Sequence, residues 1–135
     1  MYTNILLPVA YDPKTQLEAP LAVAKTLAAQ GAHMTVVHVM ELLPNYVVEY
    51  LPPDSLGITR HEILKKMEDA AKDLPNSKCV ILDGHAGRML SDYAVNHDID
   101  LVVMPSHQPE MGDVIWGSTA AYVVRHVPCA VHVVR

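Results

Sequence analysis

The sequence predicts an α/β fold in which a parallel sheet is covered by helices on both faces. Three observations indicate it. Short β-rich runs alternate with helical runs, the β-rich runs are too apolar to have one wet face, and no linker or repeat divides the chain. A chain of 135 residues with 50% hydrophobic content supports one buried core, so we expect a single domain over residues 1–135.

Five segments have the length and composition of strands, and turn residues bound them. They are residues 3–9, 34–40, 77–82, 101–104 and 130–134. Right-handed crossovers between parallel strands make a doubly wound sheet, in which a ligand binds outside the carboxyl ends of the strands where their order reverses. The candidate ligand edge therefore lies in the segments that follow the first four strands.

The first helix is predicted from apolar residues at helical spacing, beginning with Leu17 and closing at Gly31. Thr15 and Glu18 have the spacing of a capping box, which places the start of the helix late. Pro20 would then lie near the first turn, where proline costs least.

Three further helices are predicted over residues 58–74, 86–97 and 118–126. Between the second strand and the second helix, residues 41–57 contain three prolines, and their apolar residues follow neither helical nor strand spacing. Apolar side chains in such an irregular segment indicate either a partner surface or a segment that folds over the ligand cleft.

Charge and composition exclude several classes of function. Charged residues are 19% of the chain, the formal net charge is −5, and the ten Lys and Arg are scattered, so we expect no nucleic-acid partner. The longest apolar runs are of strand length, well below the roughly 20 residues that span a bilayer, so no membrane insertion is expected. The start of the sequence lacks the features of a signal peptide, and a cytoplasmic location is the default expectation.

Cys79 and Cys129 lie in apolar settings, which favours two buried structural thiols over a disulfide framework or a zinc site. The eight histidines show no metal-ligand spacing, and we expect no dedicated metal site. The segment 84–88, Gly-His-Ala-Gly-Arg, has only a weak likeness to a dinucleotide fingerprint, and a structural turn between strand and helix is favoured.

The loop between Pro105 and Gly117 has the pattern of an anion-binding segment. It leaves a strand end, and Gly117-Ser118-Thr119 is predicted to open the last helix, where free N–H groups and hydroxyls would face a phosphate. The alternative is that Gly117 and Ser118 only cap that helix. Spacing alone leaves both interpretations open.

Ser106, His107 and Asp113 share this loop, but they do not make a convincing catalytic set. No Gly-x-Ser-x-Gly elbow surrounds Ser106, and no third group is in register to orient a base. We therefore predict no catalytic residues and a protein that is not an enzyme, with slow hydrolysis as the exception to be tested.

The segments 101–107 and 117–135 resemble the C-terminal signature of the universal stress protein family, and Ile5-Leu6-Leu7-Pro8-Val9 and Val36-Val37-His38-Val39 are similar to its first two strands. The resemblance implies an adenine nucleotide alpha hydrolase-like fold with strand order 3-2-1-4-5. It also implies an adenine nucleotide between strands 1 and 4, and homodimers.

The resemblance assigns site residues by position. Pro8, Val9 and Ala10 would form the adenine wall, and the Val39 backbone would contact the base. Met104, Pro105, Ser106 and His107 would line the ribose and phosphate side. Gly117, Ser118 and Thr119 would lie at the phosphates. The ligand would be ATP or AMP, with Mg²⁺ accompanying a triphosphate.

This sequence departs from the family pattern at three positions. Pro105 and Gln108 stand where the nucleotide-binding branch has two glycines, and Ala10 stands where an aspartate is usual. The shorter Ser-His-x-Pro form of the loop resembles a subgroup of small single-domain members that includes nucleotide binders. The expected function is adenine-nucleotide binding with a regulatory, non-catalytic role in stress response. The alternative is a nucleotide-free dimeric interaction module of the same fold.

The strand 130–134 would lie at a sheet edge in the implied order. An apolar edge strand aggregates or pairs with a copy of itself, so we expect a homodimer through this strand.

Overall fold

The computed structural model describes residues 1–9, 13–41, 55–105 and 113–135, and in the helices that begin at 13, 55 and 113 it describes side chains from residues 17, 60 and 119 onward. In this part of the chain, strands and helices alternate. The strands are β1 (Tyr2–Pro8), β2 (Ala28–Met40), β3 (Ser77–Asp83), β4 (Leu101–Pro105) and β5 (Ala130–Val134). The helices are α1 (Pro13–Leu27), α2 (Ser55–Ala70), α3 (Ala86–Asn96) and α4 (Asp113–His126).

The strands form one sheet in the order β3-β2-β1-β4-β5, and every neighbouring pair is parallel. The fold class and the strand order are therefore confirmed. β1 occupies the centre of the sheet. The chain winds outward through β2 and β3 on one side and through β4 and β5 on the other, so the order reverses between β1 and β4.

Two apolar layers enclose the sheet, because successive side chains of a strand point to opposite faces. Leu7 belongs to the layer that includes Leu17 of α1 and Met67 of α2. Leu6 belongs to the opposite layer, with Leu90 of α3 and Val123 of α4. A fully buried aliphatic side chain contributes roughly 1.5–3 kcal/mol, so β1 anchors both layers.

The start of α1 differs from the prediction. The helix begins at Pro13, and Pro20 lies inside it rather than in its first turn. Proline is well suited to a first helical position because its missing N–H would have no intrahelical partner there. Pro20, in contrast, removes one bond from the helix interior.

The predicted end of α1, at Gly31, was also wrong. The helix stops at Leu27, and β2 begins at Ala28, six residues before the predicted start. Ala28 already pairs with Tyr2, and the register then shifts before Asn4 pairs with His33. Gly31 has a φ of +78° within this irregular part of the strand, a conformation that glycine adopts without a steric penalty.

The start of α4 was wrong by five residues. The helix begins at Asp113, so Gly117 and Ser118 lie within it rather than at its opening. A glycine inside a helix costs only about 1 kcal/mol relative to alanine, and an acidic residue type favours the first turn. The N–H groups that an α-helix leaves unpaired therefore belong to the turn that begins at Asp113.

The remaining boundaries agree closely with the sequence. The strand β5 matches its predicted range, and α3 ends one residue early, with His97 as its C-cap. The helix α2 is shifted toward the N-terminus, although Ala71 and Leu74 beyond its end are still buried. No helix in the described residues is long and apolar enough to cross a membrane.

Candidate functional site

The carboxyl ends of β1, β2 and β4 meet at the edge of the sheet where its order reverses. Pro8 ends β1 and Val9 follows it, Val39 lies one residue from the end of β2, and Met104 and Pro105 end β4. The structure therefore brings five of the predicted binding residues to one edge. This is the position at which doubly wound sheets bind ligands.

Pro8 interrupts the hydrogen bonding between β1 and β4. The Val9 N–H donates to the Val37 carbonyl over 2.8 Å, so the backbone groups of Val9 face β2. Backbone groups of successive strand residues face alternate sides, and those of Pro8 therefore face β4. Proline has no N–H, so the bond from position 8 to β4 cannot form.

Pro105 removes the next bond in the same ladder. The last residues paired between β1 and β4 are Leu6 and Val102. In that register, the two bonds after this pair would run from the N–H of residue 8 to the Val103 carbonyl, and from the N–H of residue 105 to the Pro8 carbonyl. Both donors are prolines.

The consequence is that β1 and β4 are unpaired beyond Leu6 and Val102, and this unpaired gap at their carboxyl ends is called the crevice below. While β1 has lost its pairing with β4, β4 continues to pair with β5 as far as Pro105 and Val134. The carbonyls of Pro8 and Val103 cannot receive their ladder bonds, and such groups need another partner when they are shielded from water. The two prolines thus leave two backbone carbonyl groups without ladder bonds at the switch point of the sheet.

The side chains at this edge are mostly committed to the two apolar layers. Val9 is buried in the layer under α1 and α2, and Met104 is fully buried in the layer under α3 and α4. Val39 is half-buried against the second layer. These residues therefore offer a ligand their backbone groups more than their side chains.

His38 is a buried polar residue of this edge that the sequence did not single out. Its side chain is 7% exposed, and its Nδ1 lies 2.9 Å from the Val9 carbonyl oxygen. Burial lowers the pKa of the His38 imidazole below its ordinary value, and the bond to Val9 offsets only part of that effect. A carbonyl only accepts, so Nδ1 carries the proton that is donated to Val9.

A histidine inside the run Val36-Val37-His38-Val39 was the available signal for this contact. An imidazole in an apolar strand must find a partner, because burying an unpaired polar group costs free energy. The partner, however, is 29 residues away on another strand and follows only from the register.

The end of β3 carries a charged pair that the sequence also did not predict. Arg60 of α2 forms a salt bridge with Asp83, the last residue of β3, and both side chains are about half exposed. An exposed pair of this kind contributes at most about 1 kcal/mol, so it adds charge to the edge more than stability.

The segment 84–88 is a structural turn, as predicted. Gly84 has a φ of +135° and donates its N–H to the Met40 carbonyl over 2.9 Å. His85 caps α3 by accepting the Arg88 N–H at 3.3 Å. The Arg88 side chain is exposed and points along its own helix toward Asp92, at 4.0 Å.

Several predicted site residues lie outside the described part of the chain. They are Ala10, Ser106 and His107. Gly117 and Ser118 are described as helix backbone only, and Thr119 is half-buried in α4. Their contacts with a ligand stay predictions.

The described residues do not contain a group of three His, Cys, Asp or Glu side chains that could hold a metal ion. Cys79 and Cys129 are free thiols, half-buried rather than fully buried as predicted, and burial raises the pKa of both. A raised pKa makes a thiol less reactive at neutral pH.

Comparison with known proteins identifies the family. The sequence profile of the universal stress protein family matches residues 1–135. This chain belongs to the universal stress protein family. A relative from Thermus aquaticus, described as a universal stress protein in the QAH/OAS sulfhydrylase 3′ region, is 32% identical over 139 residues and is aligned over 100% of both chains.

Solved structures of family members have the same fold. The universal stress protein UspA from Lactobacillus plantarum is 29% identical, with a TM-score of 0.71 over 99% of this chain and 98% of its own. A universal stress protein in complex with cAMP is 18% identical, with a TM-score of 0.67 over 99% and 97%. A family protein from Arabidopsis thaliana with AMP bound is 12% identical, with a TM-score of 0.63 over 98% and 90%.

Proposed function

We propose that this universal stress protein binds an adenine nucleotide in the crevice between β1 and β4. The observation that carries the proposal is the ladder interrupted by Pro8 and Pro105, which leaves the carbonyl acceptors of Pro8 and Val103 without their ladder bonds at the switch point. Two structures of the same fold contain cAMP and AMP, which supports an adenine nucleotide as the ligand class.

The groups present at the crevice fit an adenine base. The Watson–Crick edge of adenine offers one ring acceptor and one amino donor, and a strand residue offers one N–H and one carbonyl on the same side. The backbone of Val39 faces the end of β1 and matches that edge. Pro8, Val9 and Ala10 would form the adjoining wall, and Met104 and Pro105 the opposite side.

The ribose and phosphates would extend toward the loop that follows β4. Ser106 and His107 would donate to them, and Gly117, Ser118 and Thr119 of α4 would lie beyond. The turn that begins at Asp113 supplies the unpaired helix N–H groups. ATP and AMP both satisfy this arrangement, and Mg²⁺ would accompany a triphosphate.

The role that fits this site is regulatory. No catalytic set was predicted around Ser106, and nucleotide binding would act on the surface of the protein, in the cytoplasm, rather than through turnover. Phosphate release from ATP, compared between the wild type and Ser118→Ala and His107→Ala variants, tests for slow hydrolysis. Release that falls in both variants would contradict a non-catalytic role.

A homodimer through β5 is the second part of the proposal. β5 pairs with β4 on one side, and its other edge has no strand beside it in the described residues. The helix α4 contacts β5, and its Val124 is 53% exposed. An apolar strand edge next to exposed apolar surface favours pairing with a second copy.

The alternative function is a nucleotide-free dimeric interaction module. The position of α4 favours it, because Gly117 and Ser118 lie inside the helix and their N–H groups face carbonyls of the preceding turn. The departures at Ala10, Pro105 and Gln108 point the same way. Residues 42–57 would then be the first candidate for a partner surface.

Native mass spectrometry of the freshly purified protein tests the proposal, followed by the mass of anything released on denaturation. A dimer that carries an adenine nucleotide, or that takes up added ATP or AMP, supports the crevice as a binding site. An empty dimer that takes up neither nucleotide would overturn nucleotide binding and leave the interaction module.

A further inference from the structure

The pairing between β1 and β2 ends in an unusual way at Val9. The Val9 N–H makes its regular bond to the Val37 carbonyl at 2.8 Å. In a continued parallel ladder, the Val9 carbonyl would next accept the N–H of Val39. Among the described residues, no bond joins these two groups, and the Val9 carbonyl accepts from the His38 ring instead.

From this arrangement we propose that His38 is the positioning residue of the nucleotide site, which keeps the Val39 backbone available by occupying the Val9 carbonyl. The inference rests on the proposed function, since Val39 is the group proposed to read the adenine edge. His38 itself would not touch the nucleotide. It would act through Val9 and Val39.

The geometry explains why a side chain is needed for this task. Val39 and Val9 face each other across neighbouring strands, and in the absence of another donor their N–H and carbonyl would pair and extend the ladder. The imidazole comes from the intervening residue, reaches Val9 from the layer under α1 and α2, and supplies the donor that the carbonyl requires. The Val39 N–H is thereby released.

Burial makes this contact persistent. His38 is 7% exposed, so the Val9 carbonyl cannot readily exchange the imidazole for water. Leaving a buried acceptor unpaired destabilises the folded state. In the structure the His38 ring satisfies the Val9 carbonyl, and with that donor removed the Val39 N–H is the neighbouring group that would satisfy it and so be lost to the nucleotide.

Three substitutions separate this role from a structural one. In His38→Asn, the amide nitrogen stands two bonds from Cβ, as Nδ1 does, and can still donate to Val9. In His38→Gln, the nitrogen stands one bond further out and does not coincide with Nδ1. In His38→Leu, the donor is lost. Thr35→Val is the matched control, because Thr35 is buried on β2 at 2% exposure and its side chain points to the opposite face of the sheet.

The first measurement is amide hydrogen exchange at Val39 by NMR, without nucleotide. We expect fast exchange in the wild type, in His38→Asn and in Thr35→Val, and slower exchange in His38→Leu, where Val39 would pair with Val9. A Val39 amide that is as protected as that of Val37 in the wild type would overturn the inference. So would a His38 ring protonated on Nε2 alone, as reported by its ¹⁵N shifts.

The second measurement is the affinity for ATP and AMP by calorimetry, at a temperature where every variant is folded. Loss of the Val39 donor should weaken binding by about tenfold or more in His38→Leu and His38→Gln, whereas His38→Asn should stay within about threefold of the wild type. Binding should slow Val39 exchange in the wild type.

The outcomes distinguish the two proposals. If the wild type binds neither nucleotide, the proposed function fails, and the role of His38 in binding fails with it. If the wild type binds and His38→Leu binds equally well, only the inference about His38 is overturned. Equal losses in His38→Asn and His38→Leu would also overturn it, because they would indicate a requirement for the imidazole rather than for the donor.

Discussion

Gly87 lies directly against the ring of Tyr122 where α3 and α4 cross. A Cβ atom at position 87 would stand 2.8 Å from Cγ of Tyr122 and 2.9 Å from its Cβ. Contacts this short do not occur between real side chains, and the Cβ of Tyr122 is fixed to its helix backbone. The absence of a side chain at Gly87 therefore sets how closely the two helices approach.

We expect Gly87→Ala to destabilise the protein by about 1–3 kcal/mol, the usual cost of overpacking. The sign of the change in the free energy of unfolding is informative, because the same substitution in an uncrowded helix stabilises a protein by up to about 1 kcal/mol. Urea denaturation followed by circular dichroism measures the free energy of unfolding. Val95→Ala on the same helix, at a side chain that is 53% exposed, is the control and should change it little. A Gly87→Ala variant as stable as the wild type would contradict this packing.

The carboxylate of Asp100 joins the amino ends of β1 and β4. It accepts the N–H of Thr3 at 2.8 Å, the N–H of Asn4 at 2.9 Å and the Thr3 hydroxyl at 3.0 Å. Partial burial alone would raise the pKa of Asp100, but these bonds outweigh it and hold the pKa below its usual value. The folded state therefore binds fewer protons than the unfolded chain in the acidic range.

Because its folded pKa is depressed, Asp100 contributes stability above the ordinary aspartate pKa of about 3.9, and loses it as the pH falls through the folded value. Asp100→Asn should lower the free energy of unfolding at pH 7 by about 1–2 kcal/mol and flatten its dependence on pH below 4. Urea titrations between pH 2 and pH 7 measure both effects. Asp98→Asn removes a charge from the same turn and keeps a residue suited to its φ of +53°, so it should leave the acidic slope intact.

The alternation of apolar strands and amphipathic helices was enough to predict the fold class, since the strand runs are too apolar to have one wet face. The strand β5 was predicted to the residue because Pro128 precedes it and its apolar run ends at Val134. Helix starts were predicted less well. Glycine at position 117 is typical of a helix boundary, but a glycine inside a helix costs only a small amount of stability, and α4 continues through it.

The edge that carries the candidate site was predictable, but the hydrogen bonds at that edge were not. Strand ends follow from the sequence, so Pro8, Val9, Val39 and Pro105 could be assigned to one edge. The interrupted ladders depend on register, which decides whether Pro8 faces β2 or β4, and a one-residue slip reverses that answer. The bond from His38 to Val9 likewise exists only once β1 and β2 are aligned.

The outer edge of β5 provides a test of the proposed dimer. In the register Met104–Val133, the backbone groups of Met104 face β5, so those of Val133 face away from β4 and those of His132 face toward it. Val133→Pro would remove one outward N–H without breaking a bond inside the sheet. His132→Pro is the control that breaks an internal bond.

If β5 pairs with a second copy, Val133→Pro should shift the protein from dimer to monomer and leave most of its circular dichroism spectrum unchanged. His132→Pro should lower the thermal midpoint instead. Light scattering coupled to size-exclusion chromatography gives the mass of each variant. A Val133→Pro protein that remains dimeric at low micromolar concentration would place the interface elsewhere.

Pro8 offers the last test, because it separates the shape of the crevice from the identity of the side chains that line it. Pro8→Val keeps an apolar side chain of similar size and restores an N–H that faces β4. That N–H can donate to the Val103 carbonyl, which would extend the ladder and hold the strands about 4.8 Å apart where the crevice now lies.

We expect Pro8→Val to keep or raise the thermal midpoint and to weaken binding of ATP and AMP by about tenfold or more, since closing the crevice competes with the ligand for the same backbone groups. Calorimetry and a thermal melt on the same sample measure the two effects. Pro75→Val, at an exposed proline in the turn before β3, should change neither affinity. A Pro8→Val protein that binds as tightly as the wild type would show that the interrupted ladder is not what admits the nucleotide, and a variant that loses both stability and affinity would show that the proline ring is needed for packing.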